Sequence, residues 1–471
     1  MNLLDPDNFK KAVITDISDT RQWREVIQDW KVLVLCVLDQ LLRRYERNRN
    51  YPFIDTKLSM VTGLDFPDSD PLRGRKVINA WIQGRGLEAM AGHAKWISQL
   101  PDLDEGTRSD LLRRITRVLA EVVAQTERMR ARNGGRLYFM MTPDGKPLKV
   151  AADGRVEPAT LPQGLPAGVS EMFYCKGLAA AACALGDKER LGAACGLFDE
   201  VCRDIEADRF YSDHQNMDVR NAPAPLQGAF SHAGRMIGIG SAACFMECAG
   251  GPQYATVGLR FIDHILDRHV NHAPPFKHGQ AYDMWEYVDR HGQPFLEGSL
   301  LRSDSGHANE FVGLALKLIA RCEDSSAISA ADQPRVNRFK QVLPLVLKKN
   351  FENGFSSRGI GLMKNFDLIS RRPINDQMPW WNLPETVRAA VEAARISDGQ
   401  RRDEMLTIAA RCSNAFAQHY VRRDLWLMAP QTLSADGKVL DVIPATPDAD
   451  PGYHTGLSII DAIKVAEHLV V

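Results

Sequence analysis

Apolar positions along this chain fall mostly at the three- and four-residue spacing of helices, and few segments alternate with the period of two that marks a strand. The pattern predicts helices near 20–47, 76–98, 107–132, 172–185, 190–208, 233–249, 252–270, 307–324, 335–352, 381–397, 399–421 and 454–470, each followed by a loop. Two kinds alternate. Stretches such as FYCKGLAAAACALG (173–186) and GRMIGIGSAACFMECAG (234–250) are rich in Gly, Ala and Cys and poor in charge, as suits an interior ring of closely packed helices. Stretches such as SDLLRRITRVLAEVVAQTERMRAR (109–132) carry a wide charged face and read as outer, amphipathic helices. Six inner and six outer helices are what an (α/α)6 toroid requires, although a solenoid of helix pairs would show the same alternation.

The loops are unequal. Long ones are expected at 48–75, 133–171, 209–232, 271–306, 353–380 and 422–453, and in a toroid they would build a funnel over the central cavity. Two of them, 133–150 and 424–442, contain Asp-Gly turns and read as short hairpins on that rim. With no linker, low-complexity tract or composition break, the chain is expected to be a single domain over 1–471.

Composition narrows the partners. The 58 basic and 59 acidic residues balance, which removes the electrostatic reason to expect nucleic acid or an anionic membrane. No apolar run is long enough for a membrane span, and MNLLDPDNFKKAV (1–13) lacks the pattern of a secretory signal, so a cytoplasmic protein is expected. The nine cysteines are scattered through helical stretches, as buried thiols of a reducing compartment would be. Cys244 and Cys248 share a helix face, but no Cys-x-x-Cys or histidine cluster accompanies them, so no metal is expected. There is no Gly-x-x-x-x-Gly-Lys-[Ser/Thr] phosphate loop, and no cofactor is expected.

Candidate chemistry is concentrated where loops meet apolar helices. In SDSGHANEFVGLALKL (303–318), His307 and Glu310 stand at the mouth of a helix otherwise fit for burial. WIQGR (81–85), DGKPLKV (144–150) ahead of SEMFY (170–174), SGHANEF (305–311), PWWNLPE (379–385) and GYH (452–454) occur in an order and spacing that resembles the N-acylglucosamine 2-epimerase family. That family includes renin-binding protein, cellobiose 2-epimerases and aldose–ketose isomerases acting on mannose or sulfoquinovose. The resemblance runs from about residue 75 to 470. It implies an (α/α)6 barrel, in agreement with the helix pattern, a sugar substrate and no metal, and it suggests a homodimer.

It also implies residue roles. Epimerisation and aldose–ketose isomerisation both begin by removing the proton beside the carbonyl of the open sugar, which forms a cis-enediolate. The base needs a pKa near the working pH, which favours histidine. The resemblance assigns His307 and His454 as the acid–base pair. Glu310, one turn after His307, is placed to hydrogen-bond its imidazole. Arg85 would stabilise the enediolate charge, or else form a salt bridge on its helix. Glu385 would bind hydroxyls or support a histidine, or simply complement a helix dipole. Trp380 and Trp381 would offer flat apolar faces to a pyranose, or plug the barrel end. Tyr174, Trp285 and Glu286 are further substrate-pocket candidates, as is His232, the best remaining histidine, although it reads better as a satisfied core histidine.

The chain departs from the family pattern in places. The lysine usual before the paired tryptophans is absent from Gln377-Met378-Pro379, the residues after them are Asn382-Leu383, and the arginine often found three residues after the second histidine is Leu457. Two other functions stay open. One is a glycoside hydrolase of the unsaturated-uronyl type on the same barrel, for which Asp283, Glu286, Asp289 and Glu297 would supply carboxylates. The other is a non-catalytic barrel that binds a sugar or a protein.

Overall fold

The structure, a computed structural model, describes residues 2–162, 164–217, 226–272, 276–443, 446 and 448–470. Parts of the loops expected at 133–171, 209–232, 271–306 and 422–453 lie outside the described residues. Among the described residues, twelve α-helices form in the expected order: α1 (Thr20–Arg47), α2 (Ala80–Ile97), α3 (Glu105–Arg132), α4 (Val169–Leu185), α5 (Lys188–Glu206), α6 (Ala233–Cys248), α7 (Pro252–His269), α8 (Ser305–Asp324), α9 (Gln333–Gly354), α10 (Asn382–Arg395), α11 (Gly399–Ala415) and α12 (Ile459–Leu469). Asp19, Asp104, Asp187 and Asp304 start α1, α3, α5 and α8 by accepting backbone N–H bonds of the first turn. Gly186 ends α4 at φ 70°, a left-handed conformation that glycine adopts without strain.

The even-numbered helices form an inner ring. Each packs on the next, and a π-helical turn leading into α12, Tyr453–Ser458, touches α2 and closes the circle. The odd-numbered helices lie outside. α3, α5, α7, α9 and α11 pack on the inner helix that precedes each, while α1 packs on α12, so the two ends of the chain make the last hairpin. This is an all-α, (α/α)6 barrel. Burial follows the composition: α10 buries every residue from Asn382 to Ala394, whereas α3 buries one stripe and keeps a charged face whose arginines are exposed or half-buried. α1 is the exception among outer helices. Every residue from Asp29 to Leu42 is buried, because the N-terminal segment lies over it, with Lys10 N–H and Ala12 N–H donating to Asp29 at 2.7 Å.

Glycine sets the closest approach in the ring. A Cβ on Gly177 of α4 would stand 2.2 Å from the Gly84 carbonyl of α2, and one on Gly84 would stand 2.6 Å from the Phe173 carbonyl. Backbone faces backbone there, with no flexible side chain to give way.

Hairpin connectivity places all the outer-to-inner connections on one rim, and those are the long loops; the turn from α4 to α5 takes only Gly186 and Asp187. Two-residue antiparallel ladders fasten this rim to the inner helices. Ile78–Asn79 before α2 pairs with Met140–Met141, Phe230–Ser231 before α6 with Tyr287–Val288, Arg302–Ser303 before α8 with Phe366–Asp367, and Met378–Pro379 before α10 with Thr432–Leu433. Both Asp-Gly turns form, at Gly145 (φ 93°) and Gly437 (φ 78°), with Thr142 N–H to Lys146 O and Ser434 N–H to Lys438 O at 2.9 Å. The ladders also move helix boundaries. α2 starts at Ala80 rather than 76, because Ile78 and Asn79 are drawn into strand pairing. The helix expected to run to 421 turns π-helical at Phe416–Tyr420, and the one expected from 454 begins with the π turn. Among the described residues, no helix is long and apolar enough to cross a membrane.

If the Gly84–Gly177 contact sets the ring spacing, Gly177→Ala should destabilise the fold by about 1–3 kcal/mol, the usual cost of overpacking, read as a lower urea midpoint. An unchanged midpoint would show that the two helices can separate freely.

Candidate active site

The ladders deliver ionisable side chains to the mouth of the ring. At the start of α8, Asp304 accepts the N–H groups of Gly306 (3.0 Å) and His307 (3.1 Å), so the histidine sits in the first helical turn. Its Nδ1 lies 3.1 and 3.2 Å from the two oxygens of Glu286, which the ladder before α6 carries alongside. The other side of Glu286 meets His232 Nε2 at 3.3 Å and accepts from Ser231 Oγ at 3.2 Å. Burial alone would raise the Glu286 carboxyl, but His307 and His232 hold it well below the usual carboxylate range. Burial likewise opposes a charge on His307. Asp304 and Glu286 outweigh it and push the imidazole up to about 10. His307 is therefore an imidazolium at neutral pH.

The second histidine is built differently. Gly452 (φ 80°) turns the chain, and Asp450 accepts the N–H groups of Tyr453 (3.1 Å) and Thr455 (3.0 Å) at the start of the π turn. His454 Nδ1 lies 2.7 Å from Glu385 on α10. Glu385 also accepts from Ser458 Oγ at 2.7 Å and from the Arg388 guanidinium. Burial would raise its carboxyl, but Arg388 and His454 hold it below the ordinary value.

Trp381 joins the two halves. Its ring centroid lies 5.4 Å from that of His307 and 5.6 Å from that of His454, at tilts of 33° and 35°. Both histidines line a cavity of about 160 Å³ shared with Arg85, Glu310, Lys364 and the two tryptophans. Arg85 is held over Phe173 (4.2 Å), Tyr453 (5.5 Å) and Trp81 (5.7 Å), and its buried Nε has no hydrogen-bond partner. Trp380 packs edge-on to His454 and donates Nε1–H to Gln431 at 3.2 Å. A larger lobe, about 680 Å³, opens beyond His307 and shares Arg85, Glu310 and Lys364.

The structure thus brings His307, His454, Glu310, Arg85, Glu385, Glu286, Trp380 and Trp381 together. Glu310 does not bond the His307 imidazole as expected. Glu286 does, and Glu310 instead lies on the His454 side, with its carboxylate, that of Glu385 and a His454 nitrogen all within 4.8 Å of one another. Burial, and then Glu385, raise the Glu310 carboxyl, so it holds a proton more readily than an ordinary glutamate. Tyr174 is turned away: its hydroxyl contacts Thr126 (2.9 Å) and Glu127 (2.7 Å) on α3, because on a closely packed inner helix one face must meet the outer layer. Trp285 also leaves the site, alternating away from Glu286 into a small apolar cluster with Val288 and Phe366. His232 is fully buried behind Glu286 and reaches neither lobe. Asp283 is engaged by Arg371 and Asn353, Asp289 closes its own turn, and Glu297 binds Arg302 with both oxygens. Of the four carboxylates considered for hydrolysis, only Glu286 is in the site.

Lys364 and Arg388 were missed. Lys364 enters from the loop between α9 and α10, and its N–H bonds the Gln377 carbonyl at 2.9 Å, a pairing that no sequence spacing announces. Arg388 was readable: three residues after Glu385, it shares its helix face. Two clusters have donor sets of the metal-binding kind, His232–Glu286–His307 and Glu310–Glu385–His454. In both, histidine and carboxylate already stand at hydrogen-bonding separations of 2.7–3.3 Å.

No family model matches the chain, and no curated protein matches it. Among solved structures it is similar to the cellobiose 2-epimerase of Spirochaeta thermophila DSM 6192 (TM-score 0.63, 13% identity, 96% of this chain and 99% of that one). It is also similar to a D-mannose isomerase (0.59, 11%, 91% and 97%) and to the GH76A α-1,6-mannanase of Salegentibacter sp. HEL1_6 (0.51, 10%, 93% and 100%). At such identities the likeness is one of fold, and the barrel frames both sugar isomerisation and hydrolysis.

Because the folded-state pKa of His307 is raised, its contribution to stability is full below its unfolded value, about 6.5, and is lost as pH rises through about 10. The stability deficit of His307→Gln relative to wild type should therefore shrink between pH 6.5 and 10 in urea titrations. A deficit independent of pH would mean that His307 is not held as an imidazolium.

Proposed function

We propose that the protein is a carbohydrate 2-epimerase or aldose–ketose isomerase that works through a cis-enediolate. The observation that carries this reading is the pair of imidazoles flanking Trp381. They come from chain positions 307 and 454, line one cavity, and each commits Nδ1 to a buried carboxylate. That leaves both Nε2 atoms for a substrate lying against the indole. An open-chain sugar in the small lobe would place C2 between them. One imidazole removes the C2 proton, and the electron pair moves to the carbonyl oxygen, where Arg85, unpaired and held by three rings, meets the charge. Returning a proton to the opposite face of C2 gives the epimer; returning it to C1 gives the ketose. Glu310, held more readily protonated, can pass a proton to a substrate oxygen. The folds of the epimerase and the isomerase support the reading by analogy. The hydrolase reading is weakened because Asp283, Asp289 and Glu297 are bound elsewhere.

Proton NMR of a sugar panel in heavy water tests this. Loss of the C2 proton signal is expected. Release of a reducing end would indicate hydrolysis, and neither across a broad panel would favour a binding barrel. His307→Ala and His454→Ala should each lower turnover by about 10²-fold or more; near-wild-type turnover in both folded variants would reject the enediolate mechanism.

The chemistry requires only side chains, so turnover should survive exhaustive chelation. Loss on chelation, restored by one equivalent of a divalent metal, would reassign one of the two His–carboxylate clusters as a metal site.

A further inference from the structure

The two histidines share a cavity but not an electrostatic setting, and the difference is traced to one side chain behind the site. Arg388 is 4% exposed and lines neither lobe that holds the histidines. It faces a separate cavity of about 450 Å³ on the far side of the ring, with Ser458, Tyr453 and Lys176. From there its guanidinium bonds Glu385 and reaches Ser458 Oγ at 3.3 Å. The ring makes room for it: a Cβ on Gly313 of α8 would lie 2.9 Å from Arg388 Nε. Arg388 therefore cannot touch a substrate between the histidines, and acts on His454 only through Glu385.

We propose that Arg388 is a positioning residue that neutralises Glu385 from inside the barrel, and so makes His454 the base and His307 the acid at the start of the reaction. This assignment rests on the enediolate reading. Around His307, two carboxylates, Glu286 and Asp304, face the ring, Glu310 of its own helix adds a third, and among the described residues neither Glu286 nor Asp304 has a Lys or Arg partner. Glu286 meets His307, His232 and Ser231, and Asp304 meets His307 and backbone N–H groups, while the nearby Arg302 is bound by Glu297, and Lys364 and Arg85 border the cavity shared by both histidines. An imidazole beside uncompensated negative charge keeps its proton.

Around His454, the charges from each neighbouring element are mostly matched. α10 offers the Glu385–Arg388 pair, and α4 offers Lys176, which donates to Tyr453 Oη at 2.9 Å and pairs with Glu88 of α2 at 3.0 Å. α2 also places Arg85 at the Tyr453 ring, and Asp461 of α12 is taken by Lys317 at 2.7 Å. Asp450 is occupied with backbone N–H groups. Asp448, which borders the same cavity as Lys364, is paired with Lys57 at 3.0 Å. Glu310 of α8 is then the remaining acid, and burial favours its neutral form. His454 Nδ1 then faces a carboxylate that Arg388 already neutralises, and its Nε2 is left to face the substrate. In the forward step, that Nε2 takes the C2 proton, the electron pair becomes the enediolate, and His307 returns a proton to the opposite face. The enzyme is left with His454 protonated and His307 neutral, and exchange with solvent restores the starting state.

The protonation states can be read on the wild-type protein by ¹⁵N NMR of its histidines, whether or not any sugar is turned over. At pH 7.5, His307 should be an imidazolium and His454 a neutral Nδ1–H tautomer; the reverse, or two equal states, overturns the assignment. In kinetics, Arg388→Met should shift the acidic limb of the kcat/KM profile upward by about one pH unit or more. kcat/KM would be lost about tenfold at pH 6.5 and recovered by pH 9, and Arg388→Lys should restore the wild-type limb. A loss by the same factor at every pH would make Arg388 merely structural. If Arg388→Met does not fold, Arg388→Gln, which keeps a polar partner for Glu385 but removes the charge, is held to the same shift. Should the wild type exchange no C2 proton of any sugar, the proposed function fails, while the NMR result still decides the charge assignment.

Discussion

The barrel depends on how closely its inner helices can approach one another. Where Gly84 of α2 meets Gly177 of α4, backbone touches backbone, and runs of Ala, Gly and Cys extend that narrow spacing around the ring. Tight inner packing has a direct consequence. Six helices in a hairpin toroid must all start at the same rim, so their N-terminal turns converge over the lumen. Side chains at those turns become neighbours although hundreds of residues separate them along the chain. The two-residue ladders before α2, α6, α8 and α10 then hold each N-terminus against a loop, converting a convergence of helix ends into a defined constellation.

What fills that constellation is charge, kept in a buried place by mutual compensation. An isolated carboxylate at the depth of Glu286 or Glu385 would be protonated. Each is kept ionised by what surrounds it, two imidazoles in one case and an imidazole with a guanidinium in the other. The barrel thus builds two His–carboxylate dyads of the same parts and unequal net charge. Under the proposed enediolate reaction, a proton relay across a planar substrate would use that inequality, since one partner has to begin empty and the other loaded.

Around the dyads the walls differ in kind. The lobe at His454 is small and bounded by tryptophans and Gln431, whereas the lobe beyond His307 is several times larger and bordered by Phe173, Phe210 and Tyr287. Lys364 stands between them. No lysine stands directly before the tryptophans, and an ammonium arrives instead from Lys364 in the loop between α9 and α10. Similarly, Leu457 lines the far cavity, and Arg388 supplies a guanidinium there from α10. Charge in a closed ring can be delivered from any helix that borders it, so the same charge can be placed by a different sequence position.

The sequence by itself determined the helices, their alternation and the rim. Helical periodicity and the split between small-residue and charged stretches are local properties, written within each segment, and the Asp-Gly turns and the aspartate caps are local too. The two histidines, Arg85 and Glu385 were legible because each occupies the first turns of an inner helix, and ring closure leaves such positions only one place to go. The partners of those histidines were decided by the tertiary structure. Glu310, one turn from His307, seemed its natural support, yet the bond goes to Glu286, twenty-one residues back, because the ladder at Tyr287–Val288 lays that strand beside the helix mouth. Tyr174 and Trp285 failed for the same reason: which face of an element meets the lumen depends on its neighbours' packing, not on its own spacing. Lys364 had no local mark at all. A hydrogen bond or an ion pair is settled within a few ångströms, and only the closed ring sets which groups come that near.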